Sequence, residues 1–202
     1  MDQINFYKDL LKHYVESINL LKDSLDDSFL KFADNLVDCK WKIAITGLWK
    51  SWYIWRKMAS TFNTIWKSAI YVNPIELLHW EMGLIDPNDL FLIISRSWET
   101  TEIIELIDHI KNNSNKIRDI KILGIIWDSS SYLWNICDFK IKMSFTKEID
   151  YNNILPTTSA LVTLAIWDLL SVYILNKTAK SNNDLFFYHK HWDSGEKLKN
   201  LI

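Results

Sequence analysis

The sequence predicts an α/β domain: a doubly wound, mainly five-stranded parallel sheet flanked by helices, with extra helices at the amino terminus. Three observations predict it. Short apolar runs alternate with longer helical patterns along the chain. Those runs are nearly continuous in apolar residues, as strands covered on both faces are. The length, 202 residues, suits one domain able to bury roughly 70% of its unfolded surface.

Residues 5 to 38 read as helix, because Phe6, Leu10, Leu11, Tyr14, Val15, Ile18 and Leu21 recur at spacings of three and four. A break near Ser24–Asp27 divides the region in two. Strands follow at 42–47, 69–73, 89–95, 120–126 and 138–143. Helices are expected over 51–65, from Pro74, over 99–112, over 129–135 and over 157–176, and a short one in the polar tail. Residues 1–38 therefore form a helical segment packed on a domain spanning 39–202.

The net charge is -2 with both signs mixed, so the basic footprint of a nucleic-acid binder is missing. The apolar stretch 160–175 is interrupted by Thr163, Asp168 and Ser171, which argues against a membrane span. The amino terminus lacks a signal-peptide core. Cys39 and Cys137 have no ligand-like spacing and read as reduced thiols. A cytoplasmic protein with no nucleic-acid or membrane partner is the expectation. One part of the composition is abnormal: 11 Trp against 4 Gly. Average usage of about 7% would give roughly 14 Gly in this chain.

In a parallel sheet, ligands bind outside the carboxyl ends of the strands. Two loops there carry chemistry. Ser95-Arg96-Ser97-Trp98-Glu99-Thr100-Thr101 places hydroxyls at a strand-to-helix turn. Hydroxyls and helix-start N–H groups together hold an anion, although the same residues also serve as a helix cap. Thr46-Gly47-Leu48-Trp49-Lys50-Ser51 puts Lys and Ser at another helix start without Walker A spacing.

Together with the run from Asn73 to Ile103, the helix LPTTSALVTLAIWDLL and the tail HKHWDSGEKL, these loops resemble a SIS-domain sugar-phosphate isomerase of the arabinose 5-phosphate type. The likeness covers roughly residues 40 to 198 and takes in the SIS domain only, with no CBS pair. His79 ahead of MGLI points to the arabinose 5-phosphate branch. The resemblance implies a SIS fold, a homotetramer and an aldose–ketose isomerase acting on ribulose 5-phosphate. It implies Lys50, Glu99, Glu148 and His189 as catalytic groups. Ser51, Ser95, Ser97, Thr100, His79, Thr157 and Thr158 would contact the sugar phosphate, with capping an equal role for the two threonines. The expected tail is HPGG where this chain has His189-Lys190-His191-Trp192, and the ACPL sequence near Glu148 is missing.

The family writes the first loop as TGxGKSGxIGxK and the phosphate loop as SxSGET. Here Trp49, Trp52, Trp55 and Trp98 stand at those glycines, and Trp80 stands in the HG pair. Trp127, Trp134, Trp167 and Trp192 fall where Gly is usual or easily accepted, and Trp41 and Trp66 sit at turns. An indole would fill the space a phosphate needs. The expectation is that the native chain carries glycine at all 11 positions, from an opal codon that some bacterial lineages read as Gly. The other reading is that Trp is real and the site is remodelled.

The chemistry implied is proton transfer between C1 and C2 through an enediol, which needs a base, an acid and a phosphate anchor but no cofactor and no metal. Two alternatives share the fold. A phosphosugar-binding regulator would keep Ser95, Ser97 and Thr100 but not the acid and base groups. An isomerase of a hexulose or heptulose phosphate would keep both sets.

Overall fold

The computed structural model describes residues 3–48, 52–96, 101–113, 116–117 and 119–178. Two helices come first, α1 (Gln3–Ser24) and α2 (Asp27–Asp38). They separate where expected, because Asp26 caps α2 by accepting the Ser28 N–H at 2.8 Å. Then follow β1 (Ile43–Thr46), α3 (Trp52–Thr64) and β2 (Ala69–Val72). Next, α4 (Pro74–Glu76) runs on into a π turn (Leu77–Glu81) and a 3₁₀ turn (Met82–Leu84), neither of which the periodicity predicts. The chain continues through β3 (Leu90–Ser95), α5 (Thr101–Asn113), β4 (Lys121–Ile126), α6 (Tyr132–Ile136), β5 (Phe139–Lys142) and α7 (Thr158–Thr178).

The five strands pair in the order β2-β1-β3-β4-β5, all parallel. All four residues of β1 and all six of β3 are buried. Alternate residues feed opposite cores. Ile43, Ile45, Leu92 and Ile94 pack with α2, α3 and α7, while Ala44, Phe91 and Ile93 pack with α5, α6 and the π turn. At the amino ends, the buried carboxylate of Asp89 pairs with the Lys42 ammonium and accepts its backbone N–H at 3.2 Å.

The chain leaves β1 toward β2 on one side and leaves β3 toward β4 on the other. The carboxyl ends of β1 and β3 therefore border the crevice where the winding reverses, the usual ligand position in such sheets. Helix α7 is longer than the apolar stretch suggested. By length and composition alone, an 18-residue stretch of it could cross a membrane. Half of that stretch is buried, and Val162, Ile166, Trp167 and Leu170 pack in the core shared with α2 and α3, so it serves as the core helix.

One tryptophan, Trp66, sits in a position that favours glycine. After α3, Lys67 N–H reaches the carbonyl of Phe62 at 2.9 Å and Trp66 N–H that of Asn63 at 3.2 Å. This is a Schellman ending, and Trp66 occupies its left-handed position at φ 62°. Trp55 is buried against Gly47, where a Cβ would overlap the indole and come within 2.9 Å of the Ile94 carbonyl. Its indole N–H has no partner among the described residues. Trp167, by contrast, donates to the Met58 carbonyl at 3.0 Å and stacks on Phe62.

Candidate functional site

Gly47 and Ser95 lie at the carboxyl ends of β1 and β3, on the two sides of the crevice. No larger residue fits at 47, because the backbone of β3 approaches there. Ser95 is 4% exposed, and its carbonyl accepts the Trp127 N–H at 3.1 Å. Tyr71 reaches the Gly47 carbonyl at 3.4 Å, and burial pushes its phenol above the usual range.

The segment 144–157 carries the chain from β5 to α7 and is stitched by its own polar groups. Asp150 accepts the N–H groups of Asn152, Ile154 and Leu155. These bonds, that to Ile154 first, hold its carboxyl below the usual range. Asn153 takes a left-handed conformation, φ 56°, and accepts the Glu148 N–H at 2.7 Å.

Glu148 is fully buried at the start of α7. Its Oε2 accepts the Thr157 N–H at 2.8 Å, the Thr157 hydroxyl at 3.0 Å and the Ser159 N–H at 3.1 Å. Its Oε1 accepts the Ser159 hydroxyl and sits 3.0 Å from Arg96 Nη1. The carboxylate thus caps α7 at its positive end. Arg96, the first residue beyond β3, also donates to the Asn153 carbonyl at 3.1 Å and lies over the Phe145 ring.

The sequence-predicted residues divide accordingly. Ser95, Glu148, Thr157 and Thr158 cluster at the carboxyl side of the sheet. Thr157 does not cap α7 with its own hydroxyl. Its side chain and N–H go to Glu148, and its Oγ1 accepts the Ile149 N–H at 3.1 Å. Thr158 is fully buried, and its hydroxyl has no partner among the described residues. His79 is exposed on the π turn, its ring 6.2 Å from that of Trp80. Lys50, Ser51, Ser97, Glu99, Thr100 and His189 lie outside the described residues. Sequence reasoning missed Arg96, Asn153 and Ser159. Arg96 stood inside the phosphate-loop motif, and the pair Asn152-Asn153 was a turn signal. Among the described residues no cluster of three metal-ligating side chains is present.

The SIS domain profile matches residues 35–172. The chain is 32% identical over 187 residues to the arabinose 5-phosphate isomerase KdsD of Francisella tularensis, covering 91% of this chain and 56% of that protein. It is 30% identical over 180 residues to the arabinose 5-phosphate isomerase KpsF of Escherichia coli, covering 89% of this chain and 54% of that protein. The chain thus spans little more than half the length of these relatives. A protein of E. coli CFT073 solved in complex with arabinose 5-phosphate has the same fold, with a TM-score of 0.84 at 24% identity over 93% of this chain and 97% of that one. Since the profile runs from α2 through the sheet and into α7, across the crevice and the Glu148 cap, the chain belongs to the SIS-domain family.

Proposed function

We propose that this chain interconverts ribulose 5-phosphate and arabinose 5-phosphate through an enediol. The observation that carries the reading is the likeness to arabinose 5-phosphate isomerases across about nine-tenths of the chain, within a family whose profile spans the crevice. Ser95 sits at that crevice, and Ser51, Ser97 and Thr100 complete the hydroxyl set the sequence supplies for a phosphate. Lys50, Glu99 and His189 are the proton-handling candidates, and Glu148, His79, Thr157 and Thr158 complete the set that the resemblance supplies. Residues 39–202 form the sugar-phosphate domain, and 1–38 are a helical segment packed on it.

The working unit is a homo-oligomer, a tetramer, in the cytoplasm. Support comes from α1, whose apolar residues recur at helical spacing yet remain exposed at Phe6, Tyr7, Leu11 and Val15. Leu169 and Val172 of α7 are exposed as well. A second copy would cover such a face, and light scattering on the purified protein reads the assembly.

The reaction is tested with two variants. Ser97→Ala should weaken phosphosugar binding. Glu99→Gln should spare binding and lower turnover by roughly 10²–10⁴-fold, the usual worth of a proton-transfer group. Unchanged turnover in Glu99→Gln removes that residue from the mechanism. Turnover of a hexulose or heptulose phosphate in place of ribulose 5-phosphate would move the substrate within the same fold.

A further inference from the structure

We propose that Glu148 is a positioning residue rather than a proton carrier, and that it holds Arg96 as a charged contact for the phosphorylated substrate. This rests on the sugar-phosphate reading above. A carboxylate offers about four lone-pair sites. Those of Glu148 already meet three donors on Oε2 and two on Oε1, all supplied by the protein. The side chain has no exposed surface. A general base must come within hydrogen-bond reach of the proton it takes. A substrate could reach Glu148 only by displacing a cap donor or Arg96.

Arg96 has the opposite character. It follows Ser95 directly, at the mouth of the crevice, and a third of its side chain is exposed. Glu148 Oε1 and the Asn153 carbonyl fix its two terminal nitrogens, and the Phe145 ring lies 5.9 Å from the guanidinium. A free arginine side chain carries substantial rotamer entropy. Here that freedom is removed before a ligand arrives. Each terminal nitrogen carries two N–H groups, so both retain a donor after these contacts. A fixed fork with donors left over suits a phosphate or the hydroxyls beside it.

The test compares Arg96→Gln, Arg96→Lys, Glu148→Gln and the double glutamine variant with the unmodified protein. Calorimetry gives the Kd for arabinose 5-phosphate and for inorganic phosphate. Turnover of ribulose 5-phosphate gives kcat, KM and their pH profiles. Arg96→Gln should weaken both ligands and raise KM about tenfold, the worth of one charge-assisted hydrogen bond, with kcat changed far less. Arg96→Lys should recover part of the loss. Glu148→Gln should shift KM in the same way and leave the limbs of the kcat profile in place, and the double variant should be no worse than either single one.

Unchanged Kd and KM in a folded Arg96→Gln variant overturn the proposal. So does a Glu148→Gln variant that loses a limb of the kcat profile at constant KM. Should Glu148→Gln fail to fold, the two Arg96 variants decide. A protein that binds arabinose 5-phosphate without turnover fails as an isomerase, and the Kd series still decides the role of Arg96. Binding of neither ligand overturns both readings.

Discussion

Lys67 N–H bonds to the carbonyl of Phe62 across a turn whose left-handed residue is Trp66. For an L-residue that conformation costs about 1–2 kcal/mol, and glycine escapes the cost. In the chain carrying Trp at this position, Trp66→Gly should therefore stabilise the fold by about 1 kcal/mol. A thermal scan should show a rise of about 2–4 °C for a chain of this size. A lower melting temperature would mean that the exposed indole contributes more than the turn strain removes.

Among the described tryptophans only Trp66 takes that conformation. Trp55 buries an indole N–H without a described partner and crowds Gly47 beside the crevice, while Trp80 is almost wholly exposed. The intact mass of the protein purified from its own source should fall below 24.0 kDa by 11 indolylmethyl groups. A mass matching the written sequence would make the tryptophans real, block the phosphate loop and remove the catalytic reading.

Glu148 caps α7 and pairs with Arg96 from full burial. Glu148→Ala should cost about 3 kcal/mol or more in denaturant unfolding, because it strands several buried donors and an arginine. A loss below about 1 kcal/mol would show that water replaces the carboxylate.

Cys137 is buried, and its thiol is pushed up to about 12 by desolvation. The folded state then holds a proton that the unfolded chain, with a thiol near 9.0, releases. This contribution is fully present below pH 9 and declines as pH rises from about 9 toward 12. In the folded protein Cys137 should resist iodoacetamide at pH 8, while Cys39, which is partly exposed, reacts. Equal labelling of the two would show that the core opens on the timescale of the reagent.

Much of the fold was legible because apolar runs and helical spacing report burial directly. The five strands, the break before Asp27 and the long core helix all follow from pattern. The face of α1 was legible as apolar but not as uncovered, since periodicity does not say what lies opposite. The π turn at Leu77–Glu81 has no periodic signature. At the site, the family resemblance marked Glu148 and Thr157, but not that one caps the helix begun by the other. That relation depends on how the segment 144–157 folds back, through Asp150 and Asn153. Arg96 was overlooked because the motif reading weighed the hydroxyls and the glutamate around it.

The central claim is tested most directly by following ribulose 5-phosphate in D₂O by NMR with protein purified from its own source. The account predicts arabinose 5-phosphate bearing deuterium at C2, because the enediol collects its proton from a group that exchanges with solvent. Ribulose 5-phosphate left unchanged and free of deuterium would contradict it.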